Sequence, residues 1–338
     1  MIPPRPCVVG VSGPALSPEE AALFARLPPA GVILFARNVR DRGQLRRLVA
    51  DLRTACRPWP ILVMVDQEGG RVQRLRPPEW RALPPAAAIG ALARRDPDRG
   101  ARAAWLAGRL VACDLAEVGI DVAVAPVLDL ALPETTEAIG DRAFASDPEL
   151  VGRLGRAFLA GLRAGGALGV IKHLPGHGRA RLDSHRTLPR VAAARAELAR
   201  TDFRPFRDCA FAPLGMTAHL LYEDIDPERP ATLSPRVVAE IVRGAIGFRG
   251  VLLSDDLEMG ALSGPLLARA RAALAAGCDL VLAASGELAR NRALLEGLPP
   301  VDEVLGARLR ALLDRPAPEL PFDPEAGAAE LAALVGRG

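Results

Sequence analysis

Short apolar runs rich in Val, Ile and Leu recur along this chain, and most are followed by a longer Ala/Leu/Arg segment of helical period. The runs fall at residues 7–11, 31–35, 61–65, 121–125, 169–171, 214–218, 250–253 and 279–283. Near-continuous apolar strands belong to a parallel sheet buried on both faces. Eight strand–helix units within 338 residues predict an α/β fold, a (β/α)8 TIM-type barrel in a single domain. A doubly wound open sheet is the alternative; its usual fingerprints, GxGxxG and GxxxxGK[ST], are absent.

Between the strands, Ser17 is placed to cap a helix whose first turn carries Glu19 and Glu20. Helices are predicted over residues 42–53, 97–118 and 148–163, and from a Ser234 cap to Ile246. The stretch DQEGGRVQRLRPPEW, beginning at Asp66, reads as a long loop. The barrel is expected to occupy residues 1–314. Residues 315–338 form a Pro-rich tail of the same domain, with a short helix over 325–335.

Composition narrows the class of partner. Half the residues are hydrophobic and a quarter are charged, as in a globular chain that buries a real core. Net charge is +3 and no basic run alternates with aromatics, so no nucleic-acid partner is expected. The longest apolar runs are too short to span a membrane, and the N-terminal MIPPRPCVVGVSG lacks a signal-peptide core. Cys7, Cys56, Cys113, Cys209 and Cys278 are odd in number, far apart and without CxxC, which fits a reducing compartment. A cytoplasmic monomer is expected.

The polar residues concentrate in one place. Of four histidines, His173, His177 and His185 lie in GVIKHLPGHGRARLDSHRTLP (169–189), with His219 the fourth. The only lysine, Lys172, is there too, in a chain that otherwise writes Arg. Lys and Arg differ in shape and hydration, so a retained Lys points to a site that needs a compact ammonium. Asp66, Asp129, Lys172, His173, His219 and Asp255 each sit at or just past a strand's C-terminal end. In a barrel those ends converge on the mouth where active sites are built.

His173 and His177 have the spacing of two zinc ligands, but Pro175 and Gly176 between them make a turn and not a helix. No metal and no cofactor are expected, and His177 is read as a brace for the loop. There is no GxSxG elbow, and no Cys near the histidines. What remains is carboxylate chemistry with an imidazole partner. Asp255 and Asp256 end a strand. Asp183 lies two residues from His185, near enough to orient the ring and favour its protonated form. Asp66, Arg74, Arg142, Lys172 and His173 form the fan of charged groups that binds a polyhydroxylated ligand.

Several segments carry a resemblance: ILFARN (33–38), VDQEGGRVQR (65–74), APVLDL (125–130), IGDRAF (139–144), IKHLPGHG (171–178), LDSH (182–185), MTAH (216–219) and LLSDDLEMGAL (252–262). In content and order the chain resembles family 3 glycoside hydrolases of the bacterial β-N-acetylhexosaminidase, cell-wall-recycling type. The resemblance implies a single (β/α)8 barrel. It implies Asp255 as nucleophile, His185 as general acid/base supported by Asp183, and Asp66, Arg74, Arg142, Lys172 and His173 as ligands of a terminal N-acetylglucosamine. The implied substrate is a small carbohydrate, muropeptide or chitobiose-like. Leu174 and Ala143 depart from the family's usual Phe and Ser; neither is a residue expected to do chemistry. The expected activity is a retaining exo-β-N-acetylglucosaminidase. A phosphorylase on the same site and a non-catalytic sugar-binding barrel are the alternatives.

Overall fold

The computed structural model describes residues 3–314 and 321–336. Eight parallel strands close into a barrel: β1 (Arg5–Val9), β2 (Pro29–Leu34), β3 (Leu62–Val65), β4 (Val122–Ala123), β5 (Leu168–Leu174), β6 (Leu214–Thr217), β7 (Val251–Asp256) and β8 (Leu280–Ala283). Consecutive strands are neighbours, and β1 pairs with β8 through Cys7 opposite Val281 to complete the circle. The parallel barrel anticipated from the apolar runs is therefore what forms. Closure leaves no unpaired sheet edge, and the strand interiors are buried throughout.

The helices follow from local chemistry. Helix α1 (Pro18–Arg26) starts in a capping box: Ser17 accepts from the Glu20 amide while the Glu20 carboxylate accepts from the Ser17 amide. Asp41 caps α2 (Arg42–Ala55). Helix α3 (Ala86–Arg95) was not anticipated; its N-cap is Pro85, which offers no side-chain acceptor. Asp96 then caps α4 (Pro97–Val118) and Asp147 caps α5 (Pro148–Ala164). A Cβ on Gly161 would collide with the Trp105 carbonyl, so α4 and α5 approach at backbone distance. The helix expected after Ser234 forms over Val237–Ala245 with the wider π-type winding, and Ser234 Oγ accepts from the Val237 amide.

The stretch after Asp66 is not a plain loop. Gln67–Gly69 and Val72–Gln73 pair antiparallel around Gly69 and Gly70, both at positive φ. The expected connector at 315–320 lies outside the described residues. Residues 324–335 form a helix packed beside α4, and Phe322 lies edge-on to Trp105 with centroids 6.1 Å apart. No helix among the described residues is long and apolar enough to cross a membrane.

Candidate active site

The C-terminal strand ends open into a cavity of about 410 Å³. All eight residues expected in the site line it: Asp66, Arg74, Arg142, Lys172, His173, Asp183, His185 and Asp255. They reach it by four routes. Lys172, His173 and Asp255 stand within β5 and β7, which run further than their apolar cores. Asp66 and Arg74 flank the short hairpin after β3, and Arg142 comes from a 3-10 turn over Gly140–Arg142. Asp183 and His185 lie on the loop that follows β5.

One wall is a chain of alternating charge. Arg74 Nη2 lies 3.3 Å from Asp66 Oδ2, and Lys172 Nζ lies 3.0 Å from Asp66 Oδ1. The same Nζ is 2.5 Å from Glu68 Oε1. Glu68 then takes both arms of the Arg142 guanidinium, at 2.8 and 2.9 Å. Burial raises the Glu68 carboxyl, but Arg142 and Lys172 outweigh it and hold the group down at about 2. Asp66 is likewise held low by Lys172 and Arg74 against the effect of burial. Glu68 was not anticipated as a site residue. Sitting in a Gly-rich hairpin, it shows its importance only through partners distant in sequence.

Asp129 is the second residue whose part the strand-end pattern did not resolve. It is buried beneath the cavity instead of lining it. Its Oδ2 accepts from His173 Nδ1 at 2.6 Å, and its Oδ1 accepts the amides of His173 at 3.2 Å and His177 at 2.6 Å. The His173 ring is thereby fixed with Nδ1 protonated and Nε2 left for the cavity. His219 is also structural in its contacts. Its Nε2 donates to the Asp256 carbonyl at 2.9 Å, and Nδ1 lies 2.8 Å from Thr232 Oγ1. Burial lowers the His219 pKa and favours this neutral form.

Asp255 sits at the cavity floor, its Oδ1 accepting the Asp256 amide at 2.8 Å. Burial works against its charge, yet His173, the Asp256 amide and Lys172 hold its pKa below the ordinary value. Asp256 behaves oppositely: burial pushes it up to about 6, and its Oδ1 accepts the amides of Glu258 and Ala284. Two adjacent carboxyls thus differ in protonation tendency because only one faces the cations.

His185 is 64% exposed as a side chain and its Nδ1 lies 2.8 Å from Asp183 Oδ1. The same Asp183 oxygen accepts the His185 amide at 2.9 Å, which fixes the ring over its own backbone. Beside the dyad the loop is tied down from two sides. His177 Nε2 meets Ser184 Oγ at 3.2 Å, and the amides of Gly260 and Ala261 donate to the carbonyls of His185 and Ser184. A Cβ on Gly260 would come within 2.8 Å of the His185 carbonyl oxygen. Burial drives the His177 pKa down to about 4, so it braces as a neutral ring. Glu258 is turned away from the cavity, accepting from Arg290 and the Ser285 amide. Among the described residues no cluster of three or more His, Cys, Asp or Glu is arranged to hold a metal ion.

A parallel eight-stranded barrel whose C-terminal mouth carries an ionised carboxylate, an exposed His–Asp pair and a fan of cations is suited to an enzyme acting on a polyhydroxylated ligand. The model of the glycosyl hydrolase family 3 N-terminal domain matches residues 8–303, and the chain belongs to that family. Relatives agree. A β-hexosaminidase of Alkalilimnicola ehrlichii is 44% identical over 315 residues, covering 92% of this chain and 89% of the relative. One of Bordetella pertussis is 41% identical over 320 residues, covering 93% and 90%. NagZ of Neisseria gonorrhoeae in complex with N-trifluoroacetyl-D-glucosamine superposes with a TM-score of 0.89 at 34% identity, covering 99% of both chains.

Proposed function

We propose that this glycoside hydrolase is a retaining exo-β-N-acetylglucosaminidase, with Asp255 as nucleophile and His185 as acid/base. The observation that carries the reading is the division of labour among the titratable groups lining the cavity. His173 Nδ1 is committed to Asp129, Asp66 to two cations, and Asp256 to backbone amides. Asp255 is left as an ionised carboxylate on a rigid strand, and His185 as a proton carrier whose Nδ1 is held by Asp183.

In the first step Asp255 attacks the anomeric carbon, the bond to the leaving oxygen breaks, and imidazolium Nε2–H gives that oxygen its proton. In the second step neutral Nε2 takes a proton from water, which attacks the same carbon and frees Asp255. Nδ1–H stays on Asp183 throughout, so one nitrogen serves both steps. Asp66, Arg74, Arg142, Lys172 and His173 hold the sugar hydroxyls. The similarity to β-hexosaminidases and to a structure bound to an N-acylated glucosamine supports N-acetylglucosamine as that sugar.

The aglycone we propose is a peptidoglycan-derived muropeptide, handled by a monomer in the cytoplasm. Hydrolysis of aryl β-N-acetylglucosaminide against aryl β-glucoside tests the activity, with strong preference for the first expected. Comparable turnover of a muropeptide and of chitobiose would remove the muropeptide assignment. Acceleration by phosphate with release of sugar 1-phosphate would turn the assignment to a phosphorylase.

A further inference from the structure

Glu68 does not line the cavity, yet it touches two of the residues that do. Its side chain is 6% exposed, between Lys172 at 3% and Arg142 at 12%. Each of its oxygens is engaged: Oε1 by Lys172 Nζ and Arg142 Nη2, Oε2 by Arg142 Nε. The wall therefore runs Arg74, Asp66, Lys172, Glu68, Arg142, three cations spaced by two carboxylates. Without the Glu68 charge, Arg142 would lose its carboxylate partner and Lys172 would keep Asp66 alone, leaving two buried cations with no anion between them, and like charges in a dry site separate.

We infer that Glu68 is a positioning residue: it sets the spacing and direction of Lys172 and Arg142, and so the fit of the terminal sugar, without touching substrate. The inference rests on the proposal that these two cations bind the sugar. Glu68 also fixes the planar orientation of Arg142, since a bidentate carboxylate allows one alignment of the guanidinium. The residue is no proton donor, because both oxygens are already taken by cations.

Glu68→Gln keeps the shape and removes the charge. With an aryl β-N-acetylglucosaminide bearing an acidic phenol, KM is expected to rise about tenfold or more while kcat falls less, since Asp255 and the His185 dyad are untouched. In a Lys172→Met background the same change is expected to cost less than about threefold, because residues acting through one another are not additive. Wild-type KM in Glu68→Gln, beside an impaired Lys172→Met, overturns the positioning role and leaves the sugar-binding reading intact. Wild-type kinetics in Lys172→Met instead overturns that reading, and the inference with it. Equal losses from Glu68→Gln in both backgrounds also overturn the inference. If the Gln variant fails to fold by circular dichroism, Glu68→Asp decides. A raised KM with kcat retained supports positioning, and a wild-type KM overturns it.

Discussion

The two halves of the cavity are built by opposite rules. The ionic wall is buried: the Lys172 and Glu68 side chains are 3% and 6% exposed and stand on a barrel strand and the hairpin beside it. The proposed proton-transfer dyad is open: His185 and Asp183 are 64% and 35% exposed, on a loop whose residues Ser184 and His185 are held by three hydrogen bonds from neighbours. The contrast suits the roles proposed for each half. A wall that recognises a neutral sugar gains from charges fixed in a low dielectric. A ring that must exchange protons with a leaving group and then with water needs access, and loops supply it.

The first way to break the comparison is at its meeting point. Asp255 belongs by position to the rigid half and, as the proposed nucleophile, to the reacting one. Asp255→Asn is expected to lower turnover by on the order of 10⁴-fold with the fold intact by circular dichroism. A fluorinated mechanism-based inhibitor should label Asp255; labelling of Asp256 would show that the wrong carboxyl has been chosen. The open half comes next. His185→Ala is expected to cost about 1,000-fold on a disaccharide but roughly tenfold on an aryl substrate with an acidic phenol. Pre-steady-state glycosylation rates make the comparison, and equal losses would remove His185 as the acid.

The buried wall has its own signature in stability. The Glu68 carboxyl is depressed from 4.5 to about 2 in the folded state. A depressed acid stabilises the fold above its unfolded value, and that contribution is lost as pH falls from about 4.5 towards 2. Its full size is roughly 3 kcal/mol. Asp114 and Asp256, both raised to about 6 by burial, act the other way and favour the fold as pH falls through 6. Buried His177, lowered from 6.5 to about 4, and His219, also lowered, offset this because each loses stability as pH falls below 6.5, so thermal melts are expected to change little between pH 7 and 5 and to drop steeply below about 4.5. Glu68→Gln should flatten that acid drop; an unchanged slope would show that other carboxylates cause it.

How much of this was legible in the sequence differs between the halves. The strands could be read because apolar runs and helical periods report burial locally. The full length of β5 could not, since Lys172 and His173 are polar residues that continue the ladder past the apolar run at 169–171, whereas Asp255 and Asp256 were read at the end of their strand. The hairpin at 67–73 was hidden for a similar reason. Gln67 and Gln73 hold it by bonding backbone at Arg74, Leu75, Arg81 and Leu83, partners that no periodicity encodes. The dyad was visible because Asp183 and His185 are two residues apart. Glu68 was not, because Arg142 lies 74 residues away and nothing local links them.

Lys172→Arg sharpens the claim that the rigid half depends on shape as well as charge. The ammonium fits between Asp66 Oδ1 at 3.0 Å and Glu68 Oε1 at 2.5 Å in a nearly closed slot. A guanidinium carries the same charge but is wider and planar, so it must push the two carboxylates apart. A loss of at least about tenfold in kcat/KM, roughly 1.4 kcal/mol, is expected. Wild-type kinetics would mean that charge alone suffices and that the solitary lysine reflects no structural need.

The smallest expected effect lies at the brace between the two halves. Ser184 Oγ is the contact through which buried His177, itself fixed by Asp129, reaches the loop that carries His185. Ser184→Ala removes that bond but leaves the Gly260 and Ala261 amides on the loop carbonyls. One neutral hydrogen bond contributes about 1 kcal/mol, so a loss near fivefold in kcat/KM is the expected ceiling. It should appear on poor leaving groups, where placement of the imidazole matters, and fade on acidic phenols. Amide hydrogen exchange over residues 180–188 should quicken in the variant while that of β5 stays constant. If exchange and kinetics are both unchanged, the backbone anchors alone hold the loop. His177 would then serve only the packing above Asp129, and the two halves would be coupled through Gly260 and Ala261.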